Sequence, residues 1–403
     1  MDSISIKNDE DNQDFLELTV VAEKLQKIEQ IEELCKTEKG EKAVTARTRQ
    51  LGYARLLVNL YHKSPFFLVQ AHTELGIAYL DMKYNEQALE HLLAAYKLNG
   101  PISSSTNNNN EDIDKLRQYH IKILVKLADC YLQKGDTEKA LKISNKTLEE
   151  NKKIYNENHI SNVDIYYIIA NSYTKLEKYE ESIKTFKIIY DIYEKYYGYD
   201  SDKIAKICLE MAQVYEAWNL LYDSIEYYMN SYTIWDKIIK DNNYEIMFVI
   251  ALKVAGLYGL LNKNENAYNI LNNTENKYGD FVERNGKKKY KYQKEKIKYS
   301  MKGDSLEVVL KENLKLEEIL RENDENRKAL AKTCVTIGYI YLEMKEKKMC
   351  IDYLKKAQDV FELNRDEASV EAIAKRINEI ELDEKENDSE RDESYNKIYE
   401  EEK

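Results

Sequence analysis

The sequence predicts an all-α fold, a right-handed α-solenoid of stacked antiparallel helix pairs. Three observations predict it. The first is a recurring frame of two small residues and a Tyr. The first small position holds Gly76, Ala128, Ala170, Ala212, Ala255 and Gly338. A Tyr follows three residues on, at Tyr79, Tyr131, Tyr173, Tyr215, Tyr258 and Tyr341. The second small position, twelve residues after the first, holds Ala88, Ala140, Ser182, Ser224, Ala267 and Cys350, and a degenerate copy reads Lys296, Tyr299 and Val308. The second observation is the period. Steps between second small positions are 52, 42, 42, 43, 41 and 42 residues, and a fixed period of this size marks a stacked-repeat architecture. The third is composition: with 2 Pro and 12 Gly in 403 residues, little interrupts a helix.

Each part of the frame has a physical reason. A small residue and a Tyr at i and i+3 share one helix face. The small residue admits a neighbouring helix, and the Tyr fills the space beside it. Gly135-Asp136 ends the first helix of its pair, because Gly accepts the left-handed conformation of a helix C-terminus. The second helix starts at once, and its small residue meets the first helix near the turn. One pair cannot bury its apolar face alone, so pairs stack. The predicted pairs cover 69–98, 115–150, 160–196, 202–239, 245–278, 288–320 and 328–362, with the seven repeat Tyr largely buried.

In chain order, residues 1–13 read as an N-terminal arm. Residues 14–64 read as irregular capping helices. Phe15, Leu18, Val21, Ala22, Leu25, Ile28, Ile31 and Leu34 recur at helical spacing, and Gly40 breaks the run. The solenoid is expected over 65–365. Its long step of 52 is explained by a Ser- and Asn-rich insertion at 100–113, expected as an exposed loop. A capping helix follows at 366–382. Residues 383–403 form an acidic tail, expected to gain order only from a partner.

The Leu-Ala-x-x-Tyr run at 127–131, the Gly-Asp turn and Ala140 resemble the tetratricopeptide repeat. The 42-residue spacing is similar to that of kinesin light chains. Tyr196-Tyr197-Gly198-Tyr199-Asp200-Ser201 resembles the inter-repeat link of that subgroup, and Asn158-His159-Ile160-Ser161 is a weaker echo. The link's usual Pro is absent from both. The resemblance covers roughly 66–365 and implies a scaffold rather than an enzyme. It also implies that the first helix of each pair lines a concave groove. By the frame, Ile77, Asp129, Asn171, Gln213 and Tyr339 point into that groove, with Thr73, Val125, Tyr167, Leu209 and Val335 one turn earlier. The middle repeats thus offer Val125, Asp129, Tyr167, Asn171, Leu209 and Gln213 as the candidate partner-binding set. The family's clamp for C-terminal carboxylates needs basic residues there, and Asp129 and Asn171 depart from it.

Few residue patterns suggest chemistry. The five His are scattered, the five Cys show no C-x-x-C, and no phosphate-loop or nucleophile-elbow motif occurs. We therefore expect no catalytic residues, metal or cofactor. The Cys residues read as reduced and buried, in an intracellular protein. A net charge of −12 disfavours nucleic acid and anionic membrane as partners. The polar N-terminus and the lack of a long apolar run argue against a leader or membrane span. One basic stretch stands out, with Lys287, Lys288, Lys289, Lys291 and Lys294 interleaved with Tyr290 and Tyr292. It reads as a polyanion-binding patch, as a solvated helix face, or as a contact for the chain's own acidic tail, whose charge is complementary. The Asn-, Lys-, Ile- and Tyr-rich usage resembles that of chains from AT-rich genomes such as those of ciliates. The expectation is a cytoplasmic scaffold in a cytoskeletal or ciliary (axonemal) assembly, with tubulin or axonemal subunits as partners. The alternative is a soluble peptide-binding adaptor of the kinesin-light-chain type.

Overall fold

The computed structural model describes residues 39–60, 66–103, 111–239, 244–282, 286–301, 305–322 and 326–383, with scattered positions between 23 and 33. The expected arm at 1–13 and almost all of the acidic tail lie outside these residues. Among the described residues all regular structure is helical. In chain order the helices are α1 (Glu41–Leu60), α2 (Phe66–Asp81), α3 (Asn85–Ser103), α4 (Glu111–Lys134), α5 (Thr137–Lys152), α6 (Val163–Lys175), α7 (Tyr179–Tyr197), α8 (Asp202–Ala217), α9 (Leu221–Ile238), α10 (Glu245–Leu260), α11 (Asn264–Val282), α12 (Gly286–Ser300), α13 (Leu306–Arg321), α14 (Arg327–Glu343) and α15 (Lys347–Leu363). A last helix, α16, covers 367–383.

The chain divides into two compact units. One holds the residues up to Tyr199 with 213–219, and the other holds 200–212 with everything from Leu220 on. In the first unit α2 to α7 pack each on the next, and the first helices of successive pairs also touch, α2 on α4 and α4 on α6. In the second unit α9 to α15 pack in the same succession, and α10 touches α12. This is the helix-pair repeat that the frame predicts.

The small positions are where helices meet. Ala128, Ala170, Ala212 and Ala255 are at most 1% exposed, as are Ala88, Ala140, Ser182, Ser224, Ala267 and Cys350. A Cβ on Gly76 would come within 2.8 Å of Leu92 Cγ, so only Gly fits there. Where Ser replaces Ala, its hydroxyl finds an acceptor in the facing helix: Ser224 donates to the Ala212 carbonyl at 2.8 Å.

The turns correct one expectation. Each regular repeat has a residue with positive φ seven positions after the first small one: Lys83, Gly135, Glu177, Asn219, Asn262 and Lys345. One of the six is Gly. The next residue's N–H returns to the repeat Tyr carbonyl at 2.8–2.9 Å, from Tyr84, Asp136, Lys178, Lys263 and Glu346. These 6→1 bonds satisfy carbonyls that the helix end leaves open. The bond pattern, more than Gly itself, sets the turn.

Three further expectations change. Tyr215 and Tyr299 are buried, but Tyr79, Tyr131, Tyr173, Tyr258 and Tyr341 are half-buried, since the ring reaches the rim of its helix pair. The insertion is shorter than its composition suggests. Residues 100–103 continue α3 and 111–113 begin α4, while 104–110 lie outside the described residues. The degenerate copy slips by one residue: Val309 is 6% exposed, and its N–H bonds the Ser305 carbonyl at 3.2 Å, as Ala140 bonds Asp136. With Val309 in place of Val308 the last steps become 42 and 41.

Candidate functional site

The groove residues of the middle repeats lie mostly in the first unit. On α4, Val125 and Asp129 sit one turn apart and half-buried. On α6, Tyr167 is 37% exposed and Asn171 half-buried, again one turn apart. The two helices pack side by side, and the four residues line one cleft of about 180 Å³ with Lys126, Leu132, Asp164 and Ile168. Its apolar part is Val125, Leu132 and Ile168; its polar part is Asp129, Asp164, Asn171 and Lys126. Tyr167 is braced from behind by Phe186, edge to face at 5.9 Å. Asn171 holds its Nδ2 on the Tyr167 carbonyl at 3.0 Å, and Gln133 Nε2 donates to Asp129 Oδ1 at 3.3 Å. Lys175 ties the ends of the two helices by donating to the Leu132 carbonyl at 2.6 Å.

The other groove positions divide. Gln213 is exposed on α8. Leu209 is half-buried and packs on the Ala212, Ile225 and Tyr228 cluster of the second unit. Tyr339 is exposed and Val335 half-buried on α14, both lining a second cleft. Thr73 departs from the frame: it is fully buried and donates to the Val69 carbonyl at 2.7 Å.

The basic stretch is not one patch. Side chains at 287 and 288 lie outside the described residues. Lys289 is half-buried, while Lys291, Lys294 and Lys298 are exposed along α12. Lys296, at the degenerate small position, is fully buried and bonds Glu275 and, at 3.2 Å, Glu312. Glu312, 1% exposed, also accepts from Gln293 Nε2 at 2.8 Å and Tyr268 OH at 3.0 Å. Burial pushes the Glu312 carboxyl up, but Gln293's hydrogen bond and the Lys296 and Lys315 charges outweigh it and hold the group below its ordinary range. The sequence hid this network, because a Lys among Lys residues gives no sign of being the buried one.

Nucleophilic chemistry finds no support at the thiols. Burial pushes Cys130 and Cys334 up to about 11 and Cys208 up to about 12, so they stay protonated at neutral pH. Cys35 lies outside the described residues. Among the described residues no three His, Cys, Asp or Glu side chains are placed to hold a metal ion. Two of the scattered His do meet, His72 and His91, with Nδ1 atoms 3.1 Å apart. The weaker link echo is held by residues its sequence did not single out. Asn151 Nδ2 donates to Asn162 Oδ1 at 2.8 Å, and Asn162 Nδ2 donates to the Asn156 and Glu157 carbonyls at 2.9 Å. No described helix is long and apolar enough to cross a membrane.

Comparison with known proteins bears on the repeats. No curated protein matches the chain. Among solved structures, BtubC (BKLC) from P. vanneervenii is 15% identical, with a TM-score of 0.47 over 59% of this chain and 89% of that one. A putative kinesin light chain from Podosopora anserina with nearly identical TPR-like repeats is 15% identical, with a TM-score of 0.43 over 53% and 95%. The quorum sensor NprR from B. thuringiensis is 15% identical, with a TM-score of 0.46 over 89% and 95%. At these values the likenesses say nothing of what this chain binds. The tetratricopeptide-repeat model matches residues 121–153, 163–196 and 331–373. These segments fall on α4–α5, on α6–α7, and on α14–α15 with the start of α16, pairs in which frame, turn bond and buried small residues coincide; over these three segments the chain carries tetratricopeptide repeats.

Proposed function

We propose that the chain is a non-catalytic interaction scaffold that holds an extended segment of a partner protein against the α4/α6 cleft. One observation carries the reading: Tyr167 stands 37% exposed beside Val125, Leu132 and Ile168, with Asp129 and Asn171 at its edge. A braced Tyr over an apolar floor is the kind of anchor that dominates protein interfaces. Size supports a peptide. Small-molecule sites occupy about 300–1,000 Å³, and a cleft of about 180 Å³ suits a single side chain. Asn171 lies where its amide can trade its intrahelical bond for one to a peptide backbone. We propose a cytoskeletal assembly, ciliary in the narrower reading, as the setting. That part is supported by composition and by the exposed Lys291, Lys294 and Lys298, which suit an acidic surface such as a tubulin tail. The adaptor reading differs in predicting reversible release.

The test uses the native complex. Tyr167→Ala with Asn171→Ala should release the partner while the melting temperature changes little, because both side chains stand at the cleft rim. Salt-washed cytoskeletal fractions then separate a retained scaffold from a released adaptor. If the groove variant stays bound and a Lys291, Lys294, Lys298→Gln variant is released, attachment lies on α12 and the groove reading is lost.

A further inference from the structure

The second unit carries a cleft of different character. It opens between α14 and α16 and has a volume of about 430 Å³. Its apolar part is Val335, Leu354, Phe361 and Ile373, and its polar rim carries Lys332, Arg376, Thr336, Ser369 and Tyr339. Both charged side chains lining it are cationic, so it contrasts with the α4/α6 cleft, which Asp129 and Asp164 line. Lys332 is exposed, Tyr339 is 42% exposed, and Arg376 Nη1 donates to Glu379 at 2.8 Å. The cleft therefore offers cations and hydroxyl donors around an apolar floor, which fits an acidic segment with an apolar anchor.

The chain supplies such a segment beside the cleft. Helix α16 lines the cleft through Ser369, Ala372, Ile373 and Arg376 and ends at residue 383. Residues 384–403 follow and lie outside the described residues. They hold nine carboxylates against four basic side chains, six of the nine ahead of Tyr395, Ile398 and Tyr399, which stand at i, i+3 and i+4 spacing, and three after them. Arg376 lies seven residues before the end of α16, about 10 Å along the helix. An extended chain spans about 3.3–3.6 Å per residue, so the anchor residues return to the cleft with ample length. We propose that residues 384–403 dock into the α14/α16 cleft. In that complex the acidic run faces Lys332 and Arg376, and one of Tyr395, Ile398 and Tyr399 fills the apolar floor. The docked segment occupies the cleft until an acidic partner segment displaces it. Tethering makes weak complementarity sufficient, because covalent linkage gives a segment an effective concentration of roughly mM at a site within its reach.

Two measurements on the full chain test this. Zero-length carbodiimide crosslinking of the monomer should join Lys332 to carboxylates within 384–393, and the product should fall when Tyr395, Ile398 and Tyr399 are all changed to Ser. A fluorescent peptide of residues 384–403 added in trans should bind the full chain weakly. It should bind at least about tenfold tighter to a full chain carrying Asp388→Asn, Glu390→Gln, Asp392→Asn and Glu393→Gln, whose own segment vacates the cleft. Adding Lys332→Glu and Arg376→Glu should abolish that gain. Equal peptide binding by wild type and the neutralised variant overturns the proposal. So do crosslinks that spread evenly over Lys291, Lys294 and Lys298, since they show general attraction to cations and no seat in this cleft.

Discussion

The repeat at 163–197 and the repeat at 286–321 use one frame in two ways. In the first, Ala170 and Ser182 are fully buried, and α6 and α7 close on each other through small side chains. In the second, Lys296 stands where Ala170 stands, and α12 meets its neighbours through Glu275, Glu312, Gln293 and Tyr268. Close packing loses energy in small steps as a side chain is changed. A buried ion pair fails when either partner is removed, because the other is left charged without a partner in a low dielectric. The same backbone arrangement thus has a tolerant version and a brittle one.

The largest expected effect breaks the brittle version. Lys296→Met should cost about 3 kcal/mol by denaturant titration, the low end for removing one partner of a buried pair, because Glu312 keeps Lys315 at 4.0 Å and the Gln293 and Tyr268 hydrogen bonds. Lys296→Met with Glu312→Gln should recover most of that loss, because no charge then remains buried. A single variant as stable as wild type would show that the network is hydrated and adds little. The same network sets an acid dependence. The Glu312 carboxyl is held below its ordinary 4.5, so the unfolded chain binds its proton first. Its stabilisation is present above that value and is lost as pH falls below it. The double variant should lose this part of the acid sensitivity, read as the slope of melting temperature against pH.

Packing variants come next. A Cβ on Gly259 would lie 2.7 Å from Tyr299 Cε1, so Gly259→Ala pushes against the buried Tyr of the degenerate repeat. We expect a loss of about 1–3 kcal/mol, the range for overpacking. Ala170→Leu in the regular repeat should fall in the same range, and a much larger loss there would erase the contrast between the two repeats.

Turn variants should have smaller effects. A left-handed residue other than Gly costs about 1–2 kcal/mol, and Gly returns about 0.5–1 kcal/mol of that in backbone entropy. Glu177→Gly should therefore stabilise by about 0.5 kcal/mol or a little more, while Gly135→Ala should destabilise. Glu177→Gly lowering the melting temperature would mean that the Glu177 side chain, and no backbone strain, governs that turn.

The smallest effect concerns His120. Burial lowers its pKa below the ordinary 6.5, and the Glu150 charge offsets this only in part. The unfolded chain then binds the proton first, so stability is full above 6.5 and declines as pH falls below it. His120→Gln should flatten the melting curve between pH 7 and 5, and an unchanged slope would assign that decline to another group.

The sequence alone determined the helix pairs, their period and the buried small positions. These are local facts: a residue with no room for a side chain must be small wherever it occurs, and a 42-residue spacing is visible without any contact being known. Val125, Asp129, Tyr167 and Asn171, which the family resemblance and a count along the helix face single out, do line one cleft, but the same count put the buried Thr73 in the groove. Tertiary structure alone decided the rest. Whether Lys296 is buried depends on Glu275 and Glu312, at positions 21 before and 16 after it, and on the Gln293 and Tyr268 bonds that complete their solvation. His72 meets His91, and Asn151 meets Asn162, across turns whose geometry no single residue encodes. Periodicity records which face of a helix is apolar; it does not record which polar side chain finds a partner, because that depends on a distance fixed only when two helices have packed.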